Sequence, residues 1–471
     1  MPKPKIEISN ELGNLVHDGD ITIDSMNFSR MCANGHASII REKAPQNYHP
    51  LDGWIIRGAG TTPWTLSAQH WSGKRQDIID CQSMYSAANF GHRNPNILEP
   101  YLAFVANKNV AVSRGINHDM HAPALHALTR LLGWEESPRI MLKSGGGEAV
   151  ETAVKAMRKN WWLTHGMPQH KSMEIPAIVV ATNCFHGRPT GVTAFLEGKS
   201  REGFQPLAEP IKVPFNDTAA IEQVIKERPG TIAGVLLEPI QGEGGVVVPD
   251  DDYMPRVKEL CRKAGVLFVL DEIQTGFGRT GKNFAYEHYG TEPDILILGK
   301  SLGAGVEPVS AIIGKRNAKL KVLGKTYHRD LLDESCFPPG SEGSTHSANP
   351  KACFAILLAI KELCDNNYAE QAATKGEVLM EALVALKERY PDQILDVRGK
   401  GLMVALETTF STYTLSARMM ERGVWMYPTR ENVIRILPPL CTPATVLRTV
   451  VEKISETIEE LGAEGHLSKT A

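Results

Sequence analysis

The sequence VLFVLDEIQTG at residues 266–276, continued by DILILGK at residues 294–300, is the strongest indication of the fold of this chain. Each stretch contains an apolar run without strict alternation, which is typical of a strand covered on both faces. The first run ends at Asp271 and the second leads to Lys300. Because strand carboxyl ends open onto the ligand crevice of a parallel α/β sheet, the carboxylate and the amine are predicted to enter one site. Position alone is equally compatible with a simple salt bridge.

Two further apolar runs, at 177–181 and 233–237, have the same character. Helical patterns lie at 148–163 and at 253–264, where Gly265 is a natural C-cap. The alternation of strand and helix predicts an α/β domain whose largely parallel sheet is covered by helices.

Changes in the sequence pattern suggest the domain boundaries. Residues 1–92 mix polar segments with short strand-like pieces and are predicted to contribute to a small domain. Residues 93–345 are the predicted large domain, and 346–471 supply the rest of a smaller α+β domain. This last part opens with a long helical stretch from Pro350 to about Tyr390, interrupted near 365–367.

Composition excludes several classes of protein. The chain has 471 residues, with 51 Lys+Arg against 54 Asp+Glu and a formal net charge of −3. This balance provides no field that attracts nucleic acid or anionic lipid, so neither a nucleic-acid partner nor a membrane is predicted. The eight cysteines are scattered without a Cys-x-x-Cys pair, which favours reduced thiols in a cytoplasmic protein.

Two motifs imitate binding sites. Residues 276–281 match G-x-G-x-x-G, but Asn283 replaces the hydroxyl residue of a P-loop, and two acidic residues precede the glycines. His118, His121 and His126 have spacings that do not align on one helix face, so no metal site is predicted.

Pyridoxal phosphate chemistry would use both Asp271 and Lys300. The cofactor condenses with a lysine, and its ring nitrogen stays protonated beside an aspartate. Its phosphate also needs a cradle, and residues 144–148 (SGGGE) open a helix whose N–H groups favour an anion. A second candidate loop is GSEGSTH at 340–346, although either loop alone could be a plain turn.

These residues together resemble the signature of class-III, fold-type-I pyridoxal-phosphate aminotransferases, and the likeness runs from about residue 48 to about residue 440. The resemblance implies that Lys300 is the Schiff-base lysine and proton shuttle, and that Asp271 pairs with the pyridine nitrogen. The cofactor contacts it implies are Gln274 on the phenolic oxygen, Phe185 on the ring, Gly146 and Gly147 on the phosphate, and Thr345 from the other subunit of a homodimer. One departure is Ser144-Gly145, where the family usually has a further hydroxyl.

Within this class the resemblance is greatest to the ornithine aminotransferases. It rests on NYHPL at 47–51, YSA at 85–87, FHGR at 185–188, EPIQGE at 238–243 and IRILPPL at 434–440. The substrate contacts it implies are Arg435 on a carboxylate of 2-oxoglutarate, Glu243 as its removable partner, Tyr48 and Arg188 on the α-carboxylate of ornithine, and Tyr85 near the α-amino group. Departures are His186, Pro189 and a longer segment at about 319–339.

The expected activity is transfer of a terminal amino group from L-ornithine or a similar donor to 2-oxoglutarate, giving glutamate and a semialdehyde. Alternative donors are lysine, 4-aminobutyrate, and other diamino or β-amino acids. A racemase or aminomutase of the same class is a further alternative, but it would not need the Glu243 and Arg435 pair for a second dicarboxylate. A non-catalytic binding protein would have no reason to keep Lys300 with Asp271.

Overall fold

The computed structural model describes residues 53–70, 72–112, 115–165, 175–198, 201–202, 208–322 and 324–465, together with the backbone of 6–7 and 21–22. The chain consists of two compact units, Met1–Ile79 and Asp80–Ala471. The domain boundaries proposed from the sequence, after residues 92 and 345, remain a prediction.

The strands are β1 (Ile6–Glu7), β2 (Ile21–Thr22), β3 (Trp54–Ala59), β4 (Thr65–His70), β5 (Arg75–Asp80), β6 (Arg139–Lys143), β7 (Ala177–Ala181), β8 (Ile211–Val213), β9 (Ile232–Leu237), β10 (Leu267–Asp271), β11 (Ile295–Leu298), β12 (Ser310–Gly314), β13 (Ala318–Val322), β14 (Lys325–Arg329), β15 (Ile394–Lys400), β16 (Met403–Thr408), β17 (Val424–Trp425), β18 (Tyr427–Arg430) and β19 (Val433–Ile436). The helices are α1 (Ser83–Ser86), α2 (Pro95–Lys108), α3 (His121–Leu132), α4 (Gly146–His165), α5 (Thr190–Thr193), α6 (Thr218–Glu227), α7 (Tyr253–Ala264), α8 (Pro350–Asp365), α9 (Tyr368–Arg389), α10 (Thr412–Glu421) and α11 (Ala444–Ala463). Short 3₁₀ turns lie at Ala285–Tyr289 and Lys300–Gly303.

The main sheet has seven strands in the order β6-β12-β11-β10-β9-β7-β8. The strands from β11 through β8 pair in parallel, and β12 runs antiparallel to both of its neighbours. Strands β9, β10 and β11 are fully buried, which explains their continuous apolar character. The prediction of a mostly parallel sheet covered by helices is therefore confirmed.

Helix α4 packs against the middle of this sheet and contacts β9, β11 and β12. Its buried face includes Ala149, Ala153 and Met157. The Met157 side chain lies against Gly234 of β9, where a Cβ would come within 2.2 Å of the sulfur. Glycine at this position therefore lets the helix approach the strand closely. This contact fixes the helix whose N-terminus carries the predicted phosphate loop.

Other elements form smaller sheets. In the first unit, β3, β4 and β5 pair antiparallel. In the second unit, β15, β16, β19 and β18 form a four-stranded antiparallel sheet. Arg435 lies on β19 opposite Ala405 of β16.

Several local predictions match the structure. The helix at 253–264 has the predicted bounds, and Gly265 adopts φ 69° as its C-cap. The long helical stretch is divided where predicted, between α8 and α9. The segment at 319–339 begins with most of a two-stranded hairpin, β13 with β14, which the sequence analysis did not predict. No helix in the described part of the chain is long and apolar enough to cross a membrane.

Candidate active site

The predicted catalytic residues lie at the carboxyl ends of neighbouring strands. Asp271 is the last residue of β10, Lys300 follows β11, and Glu238 follows β9. Because these three strands are parallel, their carboxyl ends share one edge of the sheet. A cavity of about 190 Å³ opens there, and its lining residues are Gly146, Gly147, Phe185, His186, Gly187, Glu238, Ile240, Glu243, Asp271, Ile273, Gln274, Thr275 and Lys300.

Asp271 is held in a defined orientation within this cavity. It is 5% exposed, and its Oδ1 accepts a hydrogen bond from the Ile273 N–H at 3.0 Å. Its Oδ2 lies 2.8 Å from Nδ1 of the buried His186. Burial disfavours the charged imidazole, but Cys184 and the Asp271 carboxylate outweigh it and raise the pKa of His186. The aspartate thus faces the cavity with its carboxylate held by the His186 imidazole.

Lys300 is the first residue of a 3₁₀ turn and adopts φ 47°. An L-residue in this left-handed region stores backbone strain, which is typical of functional positions. Burial, reinforced by Arg435, lowers the pKa of the Lys300 amine from 10.5 to about 8, while Glu243 and Asp271 act in the opposite direction. The amine therefore loses its proton more readily than an ordinary lysine, which favours its use as a nucleophile.

The two glycines that open α4 have little room for side chains, whereas Gly145 before them has open space. A Cβ on Gly147 would lie 2.6 Å from Pro189 Cγ, and one on Gly146 would lie 3.0 Å from Ile273 Cδ1. Glu148 accepts hydrogen bonds from the N–H groups of Ser144 and Gly145. The helix begins at Gly146, so its first N–H groups and the positive end of its dipole face the cavity.

An ion pair lies beside the cavity, which Glu243 lines and Arg435 does not. Arg435 Nη1 donates to Glu243 Oε1 at 2.7 Å and to Gln274 Oε1 at 3.0 Å. Arg435 is 2% exposed, yet its Nη2 has no hydrogen-bond partner among the described residues. Burial alone would raise the pKa of Glu243, but Arg435 and Lys300 lower it. The Nη2 group of this guanidinium can therefore donate hydrogen bonds to a carboxylate of a bound substrate.

Tyr85 faces the same arginine from an unusual turn. Its ring centroid lies 5.7 Å from Arg435 Cζ. The four residues of α1 all adopt positive φ, from 44° at Ser83 to 79° at Ser86. A left-handed turn of L-residues is costly, and buried Arg279 bonds to both terminal serines of this turn. The strained turn thus places the Tyr85 ring beside Arg435.

The remaining predicted residues are not all brought into the cavity. Arg188 is exposed, with its guanidinium carbon 6.0 Å from the centroid of the Phe185 ring. Thr345 is exposed and does not line the cavity. Its neighbour Ser344 has Oγ 3.5 Å from Ser144 Oγ of the same chain. Tyr48 lies outside the described residues.

Two residues of the site, His186 and Glu238, were not predicted from the sequence to have a function. His186 was noted only as a departure from a family pattern, although a histidine beside a glycine-containing loop was a possible signal. Glu238 had no role, yet it lines the cavity and burial raises its pKa to about 7. Both depend on contacts with Asp271 or with distant loops, which sequence spacing does not reveal.

The G-x-G-x-x-G match at 276–281 has a packing explanation. A Cβ on Gly278 would lie 2.9 Å from Leu363, and one on Gly281 would lie 3.1 Å from Ala373. Both glycines also have positive φ. The motif therefore allows α8 and α9 to approach this loop closely.

The cavity residues suit pyridoxal phosphate. Lys300 supplies an amine, Asp271 an acceptor for a protonated ring nitrogen, and the start of α4 an anion site. Side chains on Gly146 or Gly147 would meet neighbouring atoms within 3.0 Å, so the cradle depends on bare backbone. The donor set matches the chemistry of the cofactor.

Comparison with known proteins agrees with this geometry. The class-III aminotransferase family model matches residues 70–458. An ornithine aminotransferase of Bordetella pertussis is 37% identical over 404 residues, covering 85% of this chain and 89% of its own length. The fold is similar to the ornithine aminotransferase of Toxoplasma gondii, in which partial occupancy of PLP was found at the active site (TM-score 0.80, 28% identity, 93% and 98% of the two chains).

A second similar structure is the acetylornithine aminotransferase of Elizabethkingia anophelis, with a TM-score of 0.74 and 32% identity over 91% of this chain and 99% of that one. The family match spans most of the sequence and includes the whole cavity. The chain therefore belongs to the pyridoxal-phosphate-dependent class-III aminotransferases.

Proposed function

We propose that this protein transfers the distal amino group of L-ornithine to 2-oxoglutarate, forming glutamate and a semialdehyde that cyclises. The observation that carries the proposal is the Arg435–Glu243 pair at the edge of the cavity that contains Lys300 and Asp271. An aminotransferase with two different substrates needs a site that can change its charge. A carboxylate that reversibly occupies an arginine provides that change.

The cofactor residues act by position and charge. Pyridoxal phosphate, when bound, supplies an electron sink for the negative charge left on the substrate carbon. Asp271, fixed by His186, would hold the ring nitrogen protonated, and Phe185 would stack on the ring. Lys300 would bind the cofactor and later move a proton from the substrate carbon. Gly146 and Gly147 would hold the phosphate through backbone N–H groups.

The substrate residues distinguish the two halves of the reaction. When 2-oxoglutarate binds, Glu243 would leave Arg435, and both guanidinium nitrogens would contact the dicarboxylate. When ornithine binds, Glu243 would neutralise Arg435. Tyr48 and Arg188 would then hold the α-carboxylate, with Tyr85 beside the α-amino group. This arrangement would leave the distal amine to react.

The donor can be identified by a screen. The cofactor-bound protein should absorb visible light, and ornithine should bleach that band more efficiently than acetylornithine, lysine, 4-aminobutyrate or a β-amino acid. The variant K300A should lack the band, whereas K258A, which changes a half-buried lysine outside the cavity, should keep it. Preferential reaction with another donor would reject ornithine while leaving the transaminase assignment intact.

Assembly and location complete the proposal. We infer a homodimer in which Thr345 of one subunit supports the phosphate site of the other, because Thr345 is exposed away from its own cavity. No disulfide joins cysteines within the described residues, which supports a reducing compartment such as the cytoplasm.

A further inference from the structure

Glu238 is a buried carboxylate that binds two separate loops. It follows β9 and is 7% exposed. Its Oε2 accepts a hydrogen bond from the Phe185 N–H at 3.0 Å, and its Oε1 accepts one from the Gly242 N–H at 3.0 Å. An ionised carboxylate suits this position because it offers two acceptors and no donor. Each oxygen therefore anchors a different stretch of backbone.

The two anchored loops have different tasks in the proposed function. The stacking loop, residues 182–188, carries Phe185. The gate loop, residues 241–247, carries Glu243 beside the anchored Gly242. A second bond joins the same loops, since Gln241 Nε2 donates to the Thr182 carbonyl at 2.8 Å. The cofactor contact and the substrate gate are thus parts of one hydrogen-bonded assembly.

The gate loop is held at both ends, because Gln241 and Val247 exchange two backbone hydrogen bonds of 3.1 Å. A Cβ on Gly242 would lie 2.0 Å from Gln274 Oε1, so this residue is tightly enclosed as well as anchored by Glu238. Beyond Glu243 come Gly244 and Gly245, the latter with φ 108°. Glycines permit backbone rearrangement at little steric cost. Glu243 can therefore leave Arg435 while the base of the loop remains in place.

We propose that Glu238 is a positioning residue that ties the stacking loop to the gate loop, so that cofactor affinity and substrate selection depend on one carboxylate. This inference rests on the proposed function of the same site. It predicts that the two properties change together when Glu238 is replaced, whereas replacing the side chain of Phe185 or of Glu243 alone changes only one of them.

The test uses E238Q, because an amide keeps the volume but replaces one acceptor with a donor. One of the two backbone N–H groups then loses its partner. The Kd of the cofactor-free protein for pyridoxal phosphate, measured by fluorescence quenching, should rise about tenfold or more. The ratio of KM for 2-oxoglutarate to KM for ornithine should also shift. E243Q should shift only this ratio, and F185L should change only the cofactor Kd.

Glu272 provides a matched control. It is 1% exposed, accepts hydrogen bonds from the N–H groups of Ala285 and Tyr286 at 2.7 Å, and does not line the cavity. E272Q should lower Tm as much as E238Q does, but move neither the cofactor Kd nor the KM ratio. The inference is overturned if E238Q behaves like E272Q or moves only one of the two properties.

A second variant covers the case in which E238Q does not fold. Q241A removes the other bond between the loops. It should change the cofactor Kd and the KM ratio in the same directions as E238Q does, but by smaller factors. A Q241A protein with both properties unchanged would overturn the inference. A wild-type protein that neither binds pyridoxal phosphate nor transfers an amino group would instead refute the proposed function.

Discussion

The Arg435 side chain is proposed to bind 2-oxoglutarate but not the amine donor. R435A should raise KM for 2-oxoglutarate by about 30-fold or more, because loss of a buried charged contact costs about 2 kcal/mol or more. KM for the amine donor should change much less. Steady-state kinetics with each substrate varied in turn measures both values. Equal changes in the two KM values would exclude the assignment.

The counterpart variant E243Q tests the same pair from the other side. It removes the carboxylate that occupies Arg435, so 2-oxoglutarate should meet less competition and its KM should fall. The donor half-reaction should slow because Arg435 is no longer neutralised. A rise in KM for 2-oxoglutarate would contradict the proposal that Glu243 competes with this substrate for Arg435.

Lys300 predicts a dependence of stability on pH. Its pKa falls from 10.5 to about 8 in the folded cofactor-free protein, chiefly through burial. The folded state therefore binds fewer protons than the unfolded state between these values, and stability increases as pH rises through this window. K300M should raise Tm below pH 8, and this gain should shrink towards pH 10.5.

Thermal unfolding of cofactor-free protein across this range measures the effect. The exposed Lys226, paired with Glu222, supplies the control variant K226M, which should show no such trend. A Tm difference between K300M and wild type that stays constant with pH would show that Lys300 is not held in a charge-disfavouring environment.

Single residues also show what sequence could reveal about the site. Asp271 and Lys300 were predictable because each follows a buried apolar run, and parallel strands bring such ends together. His186 and Glu238 were not predictable as functional groups, because their importance lies in contacts across 85 and 53 positions of sequence. Spacing within one element carries no information about such contacts.

At the scale of elements, the left-handed turn of α1 depends on Arg279. This arginine is fully buried and donates to the carbonyls of Leu402 at 2.9 Å and Pro438 at 2.7 Å, besides Ser83 and Ser86. R279M should lower the free energy of unfolding by about 3 kcal/mol or more, because it leaves buried acceptors without partners. Denaturant titration measures this loss.

The matched control is R256A, which breaks only an exposed helical pair with Asp252. Its effect should stay within about 0.5 kcal/mol. R279M should also raise KM for both substrates, since Tyr85 depends on the same turn. Unchanged stability in R279M would show that the strained turn is held by other contacts.

Some helices and strands could be predicted from the local sequence pattern, and others could not. Helix α7 was readable because its apolar residues repeat on one face and Gly265 ends it. The hairpin of β13 and β14 was missed, although β13 alternates buried and exposed residues. The antiparallel β12 was also missed, because strand direction depends on pairing with β6 and β11 rather than on local sequence.

At the scale of the whole molecule, hybrid dimers test the origin of Thr345. T345A alone should weaken cofactor binding. When T345A and K300A subunits are mixed and allowed to exchange, one site of each hybrid should combine an intact Lys300 with an intact Thr345 from the partner. Tight cofactor binding should therefore return in that site.

The opposite result has an equally clear meaning. If Thr345 acts within its own subunit, as the approach of Ser344 to Ser144 allows, the hybrid would retain the weak binding of T345A. A protein that sediments as a monomer while fully active would also contradict the dimer proposal.

An isotope label can follow the proposed transfer of the distal amino group of ornithine to 2-oxoglutarate. The most direct measurement supplies L-ornithine labelled with ¹⁵N only at its distal nitrogen, together with unlabelled 2-oxoglutarate, and analyses the glutamate by mass spectrometry. We expect the glutamate to carry the label. Unlabelled glutamate, with ¹⁵N retained in the ornithine-derived product, would show transfer of the α-amino group and exclude transfer of the distal one.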